Sequence, residues 1–485
     1  MKQKINRFFL IFSVSVSAIA AVYMLYQRFC YLQMGLLYDE LYSMASSNPQ
    51  YPFSFIWHQM MLQDINPPLY NTMLYLWNSL VGMSVSKMRL FSALAGALAI
   101  AVSYLYAPPK WPGLKKFIFA ALTACSAALA VFSIYVRSYA WAILSVYVFT
   151  LAALRIAECL NKHQYPAKTL WTVFFVSGLV GAYLHFFSAA LFFITALLLF
   201  IYACCYKTAR KTIFWLTSAA FALWFPWVLV TCRIMAAPTG IWYYDAPWPR
   251  ATWEILQYLL GSSTVLVWIF SCGILAAVSF VYTYRSKLLQ QVDIILSAGQ
   301  ILLLVSVVAA VSFKYNLWMV RYFSILLPSI LLLLTGLLYH LYERHRPFIL
   351  LLPALLLAWG HQYMKMDFKH IREFTGLKDA FHFAVTEMKA DTLLIDTSQT
   401  GYTEVAFQRM MEYYIPPHSG LEIKPLNNQT VREALQEPKA PVLIPLCTQI
   451  HLIETYLKYG LQKDQNPYIF GQDVCLLTVH RLAGK

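Results

Sequence analysis

The chain has 485 residues, of which 60% are hydrophobic and only 12% are charged. Because soluble domains carry roughly 25% charged residues, this composition excludes an ordinary soluble enzyme, and it equally excludes a disordered chain. The apolar stretches are continuous and do not alternate, so they indicate a polytopic helical membrane protein and exclude a β-barrel.

The formal net charge of +15 is unevenly distributed along the chain. Residues 1–360 hold 24 Lys and Arg against 8 Asp and Glu, whereas the remaining residues hold 13 and 14. The cations cluster in short loops between apolar runs, as the positive-inside rule describes. Membrane lipids are therefore expected partners, and nucleic acid is not.

Twelve apolar runs follow one another along the first three quarters of the chain. They cover about 8–30, 68–83, 88–107, 114–134, 138–159, 168–187, 188–206, 212–232, 259–282, 293–312, 319–341 and 347–362. A span needs roughly 20 residues, so the run 68–83 is short.

The loop cations predict the orientation of the chain. The basic clusters are Lys110/Lys115/Lys116, Arg155/Lys162/Lys168, Lys207/Arg210/Lys211, Arg285/Lys287 and Arg344/Arg346, and all are expected on the cytoplasmic side. The first run is interpreted as an uncleaved helix with a cytoplasmic N-terminus, and the tail after Gly360 is expected outside. Termini on opposite sides of the membrane require an odd number of spans, so we expect roughly 11–13 helices. The membrane is most simply the bacterial inner membrane.

Two external segments and a C-terminal tail complete the predicted organisation. Segment 31–67 contains apolar residues at helical spacing after Pro52, which predicts a surface helix. Segment 233–258 is rich in Trp and Tyr, the composition of an interfacial belt. We divide the chain into a transmembrane domain, 1–362, and an extracytoplasmic α/β domain, 363–485.

The tail is expected to contain both helices and strands. Residues 377–388 and 404–414 are predicted as helices, and 392–396, 442–446 and 474–479 as strands. Cys447 and Cys475 could form a disulfide in an oxidising compartment or remain free buried thiols.

Asp39 and Glu40 are the only adjacent acids in the first 360 residues. Carboxylates near a bilayer are costly and usually functional. Neighbouring side chains cannot share one face of a helix or strand. One carboxylate is therefore expected to face a cavity, while the other holds the loop or meets a second ligand; a solvated loop pair is the alternative.

Further motifs follow in a fixed order: Asn66-Pro67-Pro68-Leu69-Tyr70, the stretch Arg89–Gly96, Arg137-Ser138-Tyr139-Ala140 and Arg321-Tyr322. Together with Asp39-Glu40 this order resembles the GT-C glycosyltransferases, in the superfamily of the protein O-mannosyltransferases (glycosyltransferase family 39) and the aminoarabinose transferases. The resemblance covers essentially the whole chain and implies a GT-C fold.

The resemblance also implies a polyprenyl-phosphate sugar as donor, with Asp39 as general base. Its phosphate would need cations, and Arg offers a fixed fork of donors. Arg137 and Arg321 are predicted at external helix ends, against the positive-inside trend, and Arg89 with Lys87 is a third candidate. Snorkelling to lipid phosphates is the alternative for each cation.

Three further residues are weaker candidates for substrate binding: Tyr139, His58 and His185. No cofactor and no metal centre is expected. A divalent cation at Asp39 and Glu40 is compatible with the sequence, but no cluster of ligands predicts one.

The sequence therefore predicts an integral-membrane glycosyltransferase acting outside the membrane on a lipid, glycan or protein acceptor. A polyprenyl-lipid flippase or transporter is one alternative, although such proteins carry charges within their helices and show internal repeats. A non-catalytic membrane assembly protein with the tail as its binding module is another.

Overall fold

The computed structural model describes residues 38–236, 248–260, 292–313 and 317–365, with parts of the first apolar run and of the tail. All but the first two residues of the predicted run 259–282, and most of the run 8–30, lie outside these residues.

The membrane part is built from helices in the following order. They are α1 Tyr38–Ala45, α2 Phe53–Gln59, α3 Leu69–Val81, α4 Val85–Leu105, α5 Gly113–Cys125, α6 Ala127–Ile134, α7 Tyr139–Asn161, α8 Lys168–Leu184, α9 Phe186–Tyr206, α10 Arg210–Ala236, α11 Trp248–Leu260, α12 Val292–Ser312, α13 Val320–Phe323, α14 Leu327–Arg344 and α15 Leu351–Lys365. Short 3-10 turns cover Met61–Gln63, Ser324–Leu326 and Arg346–Leu350.

Six helices in the described part of the chain are long and apolar enough to cross a membrane, and one bent pair adds a seventh. The chain is therefore an integral multi-pass membrane protein, as predicted. The total of 11–13 spans stays a prediction, since most of two predicted runs lies outside the described residues.

Two predicted elements differ in the structure. The run 114–134 is not one helix, because α5 and α6 meet at Ser126 with a bend of 53°. The Ser126 hydroxyl accepts the N–H of Leu129 at 3.3 Å, so it caps a new helix where periodicity alone suggests continuation. The predicted surface helix is also short: α2 has seven residues, and Ile56 and Met60 are buried against protein.

The helices run alternately between two ends of the bundle. At the end that we call the basic end, Arg155 donates to the carbonyl of Ala107 at 3.1 Å, and Lys115 pairs with Asp293 at 2.6 Å. The opposite end, the site end, holds α1, the α6–α7 connection and α13. The predicted cytoplasmic clusters that the structure describes thus share the basic end.

Polar side chains and glycines fix the packing between the spans. Gln300 of α12 donates to Thr150 of α7 at 3.1 Å and to Thr195 of α9 at 2.7 Å, and its oxygen accepts from Ser329 at 2.8 Å. This amide is fully buried and satisfied, so it can bridge helices within an apolar core. A Cβ at Gly178 of α8 would lie 2.1 Å from the ring of Phe192, so only glycine permits this close approach to α9.

The described parts of the tail contain α16 Thr375–Thr386, α17 Glu404–Glu412 and six strands. The strands are β1 Thr392–Ile395, β2 Glu422–Pro425, β3 Val442–Ile444, β4 Leu461–Lys463, β5 Tyr468–Phe470 and β6 Val474–Arg481. Their order is β2-β1-β3-β6-β4, with β5 also on β6. β1 is parallel to β2 and β3, whereas β6 is antiparallel to its partners.

The tail contacts the membrane part beside α1. Tyr51, in the loop after α1, donates to Glu412 of α17 at 3.0 Å and accepts from Arg409 at 2.9 Å. The domain boundary near residue 362 stays a prediction, and Cys447 lies outside the described residues, so neither the disulfide with Cys475 nor the free thiols can be tested.

Candidate active site

The adjacent acids lie in the first turn of α1, and their side chains diverge. Glu40 is fully buried, with its side chain 0% exposed, whereas the side chain of Asp39 is 28% exposed. Consecutive residues on a helix point about 100° apart, since 3.6 residues complete a turn. Only Asp39 of the two therefore reaches a space that water or a substrate can enter.

Glu40 forms a bidentate ion pair with Arg89 of α4. Arg89 Nη1 donates to Glu40 Oε1 at 3.0 Å and Nη2 donates to Oε2 at 3.1 Å. Oε1 also accepts the backbone N–H of Val136 at 2.6 Å, and Nη1 donates to the carbonyl of Ile134. These bonds join α1, α4 and the α6–α7 connection in one buried unit.

This position differs from the one expected for Arg89. Its side chain is 0% exposed, like that of its partner, so it does not face solvent as a free phosphate-binding cation would. A buried charge needs a partner and further hydrogen bonds, and Arg89 has both. The geometry therefore favours a positioning role for Arg89 and for Glu40.

Arg321 and Arg137 surround Asp39. Arg321, on α13, forms an ion pair with Asp39 Oδ2, and its side chain is 31% exposed. Arg137 Nη1 donates to the backbone carbonyl of Asp39 at 3.2 Å and to Ser43 Oγ at 3.3 Å. The structure thus brings Arg137 and Arg321, which are 98 and 282 positions from Asp39 in the sequence, together around one partly exposed carboxylate.

Aromatic residues form a wall behind the two arginines. His185, which is buried, lies with its ring centroid 5.4 Å from that of Tyr139 and 5.8 Å from that of Tyr322. Its Nδ1 accepts the N–H of Phe187 at 3.2 Å, which caps the start of α9. Tyr139 and His185 are therefore beside the site, and His185 also has a structural role there.

Asp64 is a carboxylate of the site that the sequence reasoning missed. Its Oδ1 accepts two bonds from Asn66, each at 3.0 Å, while Oδ2 is buried without a hydrogen-bond partner in the described part of the chain. Burial raises the pKa of Asp64, and the positive charge of Arg137 opposes that rise while Asp39 adds to it. A signal was available, because Asp64 is one of only eight acids in residues 1–360.

Two predicted residues take other positions. Lys87 is exposed at the start of α4, where its Nζ donates to the carbonyl of Val81. His58 is exposed on α2, with Nδ1 2.8 Å from the carbonyl oxygen of Ser54. Within the residues that the structure describes, no hydrogen bond or ion pair joins either of them to Asp39.

The described residues contain no group of three or more His, Cys, Asp or Glu that could hold a metal ion. Asp39 and Asp64 are two carboxylates at one site, and Mg²⁺ is commonly held by one or two carboxylates with water and substrate oxygens. A divalent cation is therefore compatible with the site, as it is with the sequence, and its binding is untested.

The arrangement combines two chemical capacities. A partly exposed carboxylate can accept a proton if it lies within hydrogen-bond reach of a substrate group. Two guanidinium groups, one on α13 and one in the α6–α7 connection, can hold a phosphate by bidentate hydrogen bonds, which ammonium groups cannot reproduce.

Comparison with solved structures defines the class of fold. The chain has the GT-C fold, as the ordered motifs predict. It is similar to ArnT from Cupriavidus metallidurans in the apo state, with a TM-score of 0.59, 11% identity and coverage of 98% of each chain. A second ArnT structure from the same organism, bound to undecaprenyl phosphate, gives a TM-score of 0.42 and 12% identity over 98% of this chain and 99% of that one. No protein-family model and no curated protein matches the sequence.

Proposed function

We propose that this protein is an integral-membrane glycosyltransferase, in which Asp39 is the general base. It would transfer a sugar from a polyprenyl-phosphate donor to a hydroxyl or amine of an acceptor on the extracytoplasmic side. The observation that carries this proposal is the divergence of the two adjacent acids. The side chain of Glu40 is buried in an ion pair, whereas that of Asp39 is accessible between two arginines.

The likeness of fold is consistent with this class of reaction, since the chain aligns over almost its full length with ArnT. One of the two ArnT structures has undecaprenyl phosphate bound. For the present chain, a lipid-phosphate donor rests on its own residues, namely the two arginines at the site end of an apolar bundle.

The reaction would proceed as a single displacement. The acceptor oxygen or nitrogen attacks the anomeric carbon, its proton passes to Asp39, and the bond from that carbon to the phosphate oxygen breaks. A single displacement inverts the anomeric configuration. The departing polyprenyl phosphate is already an anion, so it requires electrostatic stabilisation and no proton.

Arg321 and Arg137 would supply that stabilisation. Arg321 pairs with Asp39, so a donor phosphate that binds Arg321 would compete for the same guanidinium and leave the carboxylate available to the acceptor. Arg137 would remain tied to the backbone of Asp39 and so fix the distance between the base and the phosphate. Glu40 and Arg89 hold α1 in place beneath them.

Asp39→Asn tests the proposal most directly. We expect the glycosylated product to disappear from cells that express the variant, as measured by mass spectrometry of envelope lipids and glycoproteins. Asp379→Asn is a matched control, since Asp379 is an exposed aspartate of α16. Unchanged product in the Asp39→Asn variant at equal protein level would support the assembly-protein alternative, and loss in both variants would show a general defect.

The proposed orientation has a separate test. The basic end is expected in the cytoplasm because short-loop cations favour that side. A Ser419→Cys variant should then react with an impermeant thiol reagent in intact cells, or in spheroplasts if an outer membrane is present. Labelling that requires permeabilisation of the inner membrane would place the tail inside and contradict the extracytoplasmic reaction.

A further inference from the structure

A cavity of about 480 Å³ opens at the basic end, far from Asp39 along the bundle. It lies between the α4–α5 loop, the last turns of α7 and the start of α8. Three of its lining residues are cations and one is an acid: Lys110, Arg155, Lys162 and Glu158. The cavity therefore has an excess of positive charge at the membrane surface, on residues that the proposed reaction does not use.

Arg155 is held in a fixed position in this cavity. Its guanidinium carbon lies 4.1 Å from the ring centroid of Tyr106, and its Nη2 donates to the carbonyl of Ala107 at 3.1 Å. Its Nε is buried, and no described residue accepts a hydrogen bond from it. A stacked guanidinium with spare donors is preorganised for an anion, since little rotamer freedom remains to be lost on binding.

The start of α8 adds a second source of positive potential. Ala167 precedes the helix and provides no side-chain cap, and Ala167 and Thr169 both line the cavity. The first N–H groups of a helix lack intrahelical partners, and they carry the positive end of its dipole. The N-terminal end of α8 therefore faces the same cavity as Arg155.

An apolar groove continues from the cavity along the α7–α8 interface. It encloses about 410 Å³ and shares Val173 with the cavity, and its other lining residues include Leu144, Val148, Val176 and Val180. From Thr169 to Val180 the helix rises roughly 16 Å, at about 1.5 Å per residue. That length is close to half of a hydrocarbon core of about 30 Å, the depth of one leaflet.

We propose that the cavity and the groove together bind an anionic phospholipid of the leaflet at the basic end. The lipid phosphate accepts hydrogen bonds from Arg155 and interacts with Lys110 and Lys162, and one acyl chain lies along the α7–α8 groove. Basic pockets between transmembrane helices are known to recognise acidic headgroups. This site is independent of the proposed glycosyl transfer, because it lies at the other end of the bundle and requires no catalytic residue.

Native mass spectrometry of the full-length, delipidated protein would test the proposal. The probes are phosphatidylglycerol and phosphatidylcholine with identical acyl chains, each titrated in detergent. We expect tighter binding of phosphatidylglycerol. Lys110→Gln combined with Lys162→Gln should weaken it about 25-fold, or roughly fivefold for each cation removed. Both lysines are exposed, so the double variant is expected to fold.

A matched control removes two cations at the same end but outside the cavity. Arg210→Gln combined with Lys211→Gln should change the affinity for phosphatidylglycerol by less than about twofold, because diffuse surface attraction is weak in salt. Equal weakening by both double variants would overturn the proposal in favour of general surface charge. Equal binding of the two lipids by the unmodified protein would overturn it as well.

The acyl-chain groove has its own pair of variants. Val176→Trp fills the groove and should weaken the binding of phosphatidylglycerol, because the acyl chain loses its packing contacts with α7 and α8. Leu197→Trp, at an exposed position of a different groove on α9, should leave the affinity for phosphatidylglycerol unchanged. If inorganic phosphate displaces the lipid completely and Val176→Trp has no effect, the site binds phosphate alone and the lipid assignment is wrong.

Discussion

Glu40→Gln and Asp39→Asn should separate stability from turnover at two adjacent positions. Both substitutions keep the size of the side chain and remove its charge. Glu40 accepts three hydrogen bonds through its two oxygens, and its partner Arg89 has a side chain that is 0% exposed. Asp39 forms its ion pair with Arg321 where both side chains are about one third exposed.

The expected magnitudes follow from these environments. A glutamine at position 40 has one oxygen and one NH₂ group, so in either orientation its NH₂ group faces an N–H donor of Arg89 or Val136. Breaking a buried ion pair costs about 3–5 kcal/mol, a large fraction of a stability of about 5–15 kcal/mol. A partly exposed pair such as Asp39 with Arg321 contributes about 1 kcal/mol or less.

The assay compares thermal unfolding in detergent with the rate of sugar transfer at saturating donor. Glu40→Gln should unfold at a clearly lower temperature, and any loss of product should follow the loss of folded protein. Asp39→Asn should unfold nearly as the unmodified protein does, and its turnover should fall by about 10²–10⁴-fold, the usual contribution of a general base. Asp39→Glu should also be slow, since one methylene displaces the carboxylate from its position.

A double variant provides the control for Glu40. Glu40→Leu combined with Arg89→Met removes both charges, so it should be more stable than Glu40→Gln alone, which leaves one charge buried. A stable but inactive Glu40→Gln protein beside an active Asp39→Asn protein would reverse the assignment of the base. If both variants stay stable and active, the catalytic site lies elsewhere.

Three further predictions concern other charged groups. Arg321→Lys and Arg137→Lys should raise the donor KM at normal protein levels, because lysine keeps the charge but not the bidentate fork; unchanged kinetics would contradict phosphate binding. Lys115→Ala should lower stability by about 3–5 kcal/mol without changing kcat, since it leaves Asp293 buried and unpaired, and denaturant unfolding with activity assays would check both. Because the pKa of Asp64 is raised, the folded state holds this proton more tightly than the unfolded chain does, so stability should fall as pH rises above the ordinary Asp value of about 4. Asp64→Asn should make the free energy of unfolding less dependent on pH, as measured by denaturant unfolding at several pH values. If the variant and the unmodified protein show the same pH dependence, the raised pKa of Asp64 is contradicted.

The spans could be predicted from the sequence because hydrophobic length is a local property. The run 138–159 predicts α7 almost to the residue, and the basic loops predict which helix ends lie together. The break at Ser126 was not predicted, because a single serine does not interrupt an apolar run in the sequence. Only the fold shows that its hydroxyl caps α6. In the tail, 392–396, 442–446 and 474–479 correspond to β1, β3 and β6, whereas the remaining strands are too short or too polar for a clear pattern.

The pairing at the site could not be predicted in the same way. Adjacency indicates that Asp39 and Glu40 diverge, but the sequence contains no information on which of them meets Arg89, 49 residues away. The choice depends on how α1 packs against α4 and the α6–α7 connection. Asp64 was missed for a related reason: in sequence it is a polar residue of a loop, and only the fold places it within the field of Arg137 and Asp39.

The cations of the bundle therefore have different physical roles according to their burial, and the buried pair of Lys115 with Asp293 at the basic end resembles the pairs at the site end. At the site end, Arg89 and Arg321 each face a carboxylate, because a cation held within protein there needs a counter-ion. At the basic end, Lys110 and Lys162 are exposed and require no such partner. The positive-inside rule considers only where a cation lies along the chain, so it does not distinguish Arg89 and Arg321 from Lys110 and Lys162. Burial distinguishes them, and it is the partly exposed pair, Asp39 with Arg321, that can exchange its protein partner for a substrate without leaving a buried charge uncompensated.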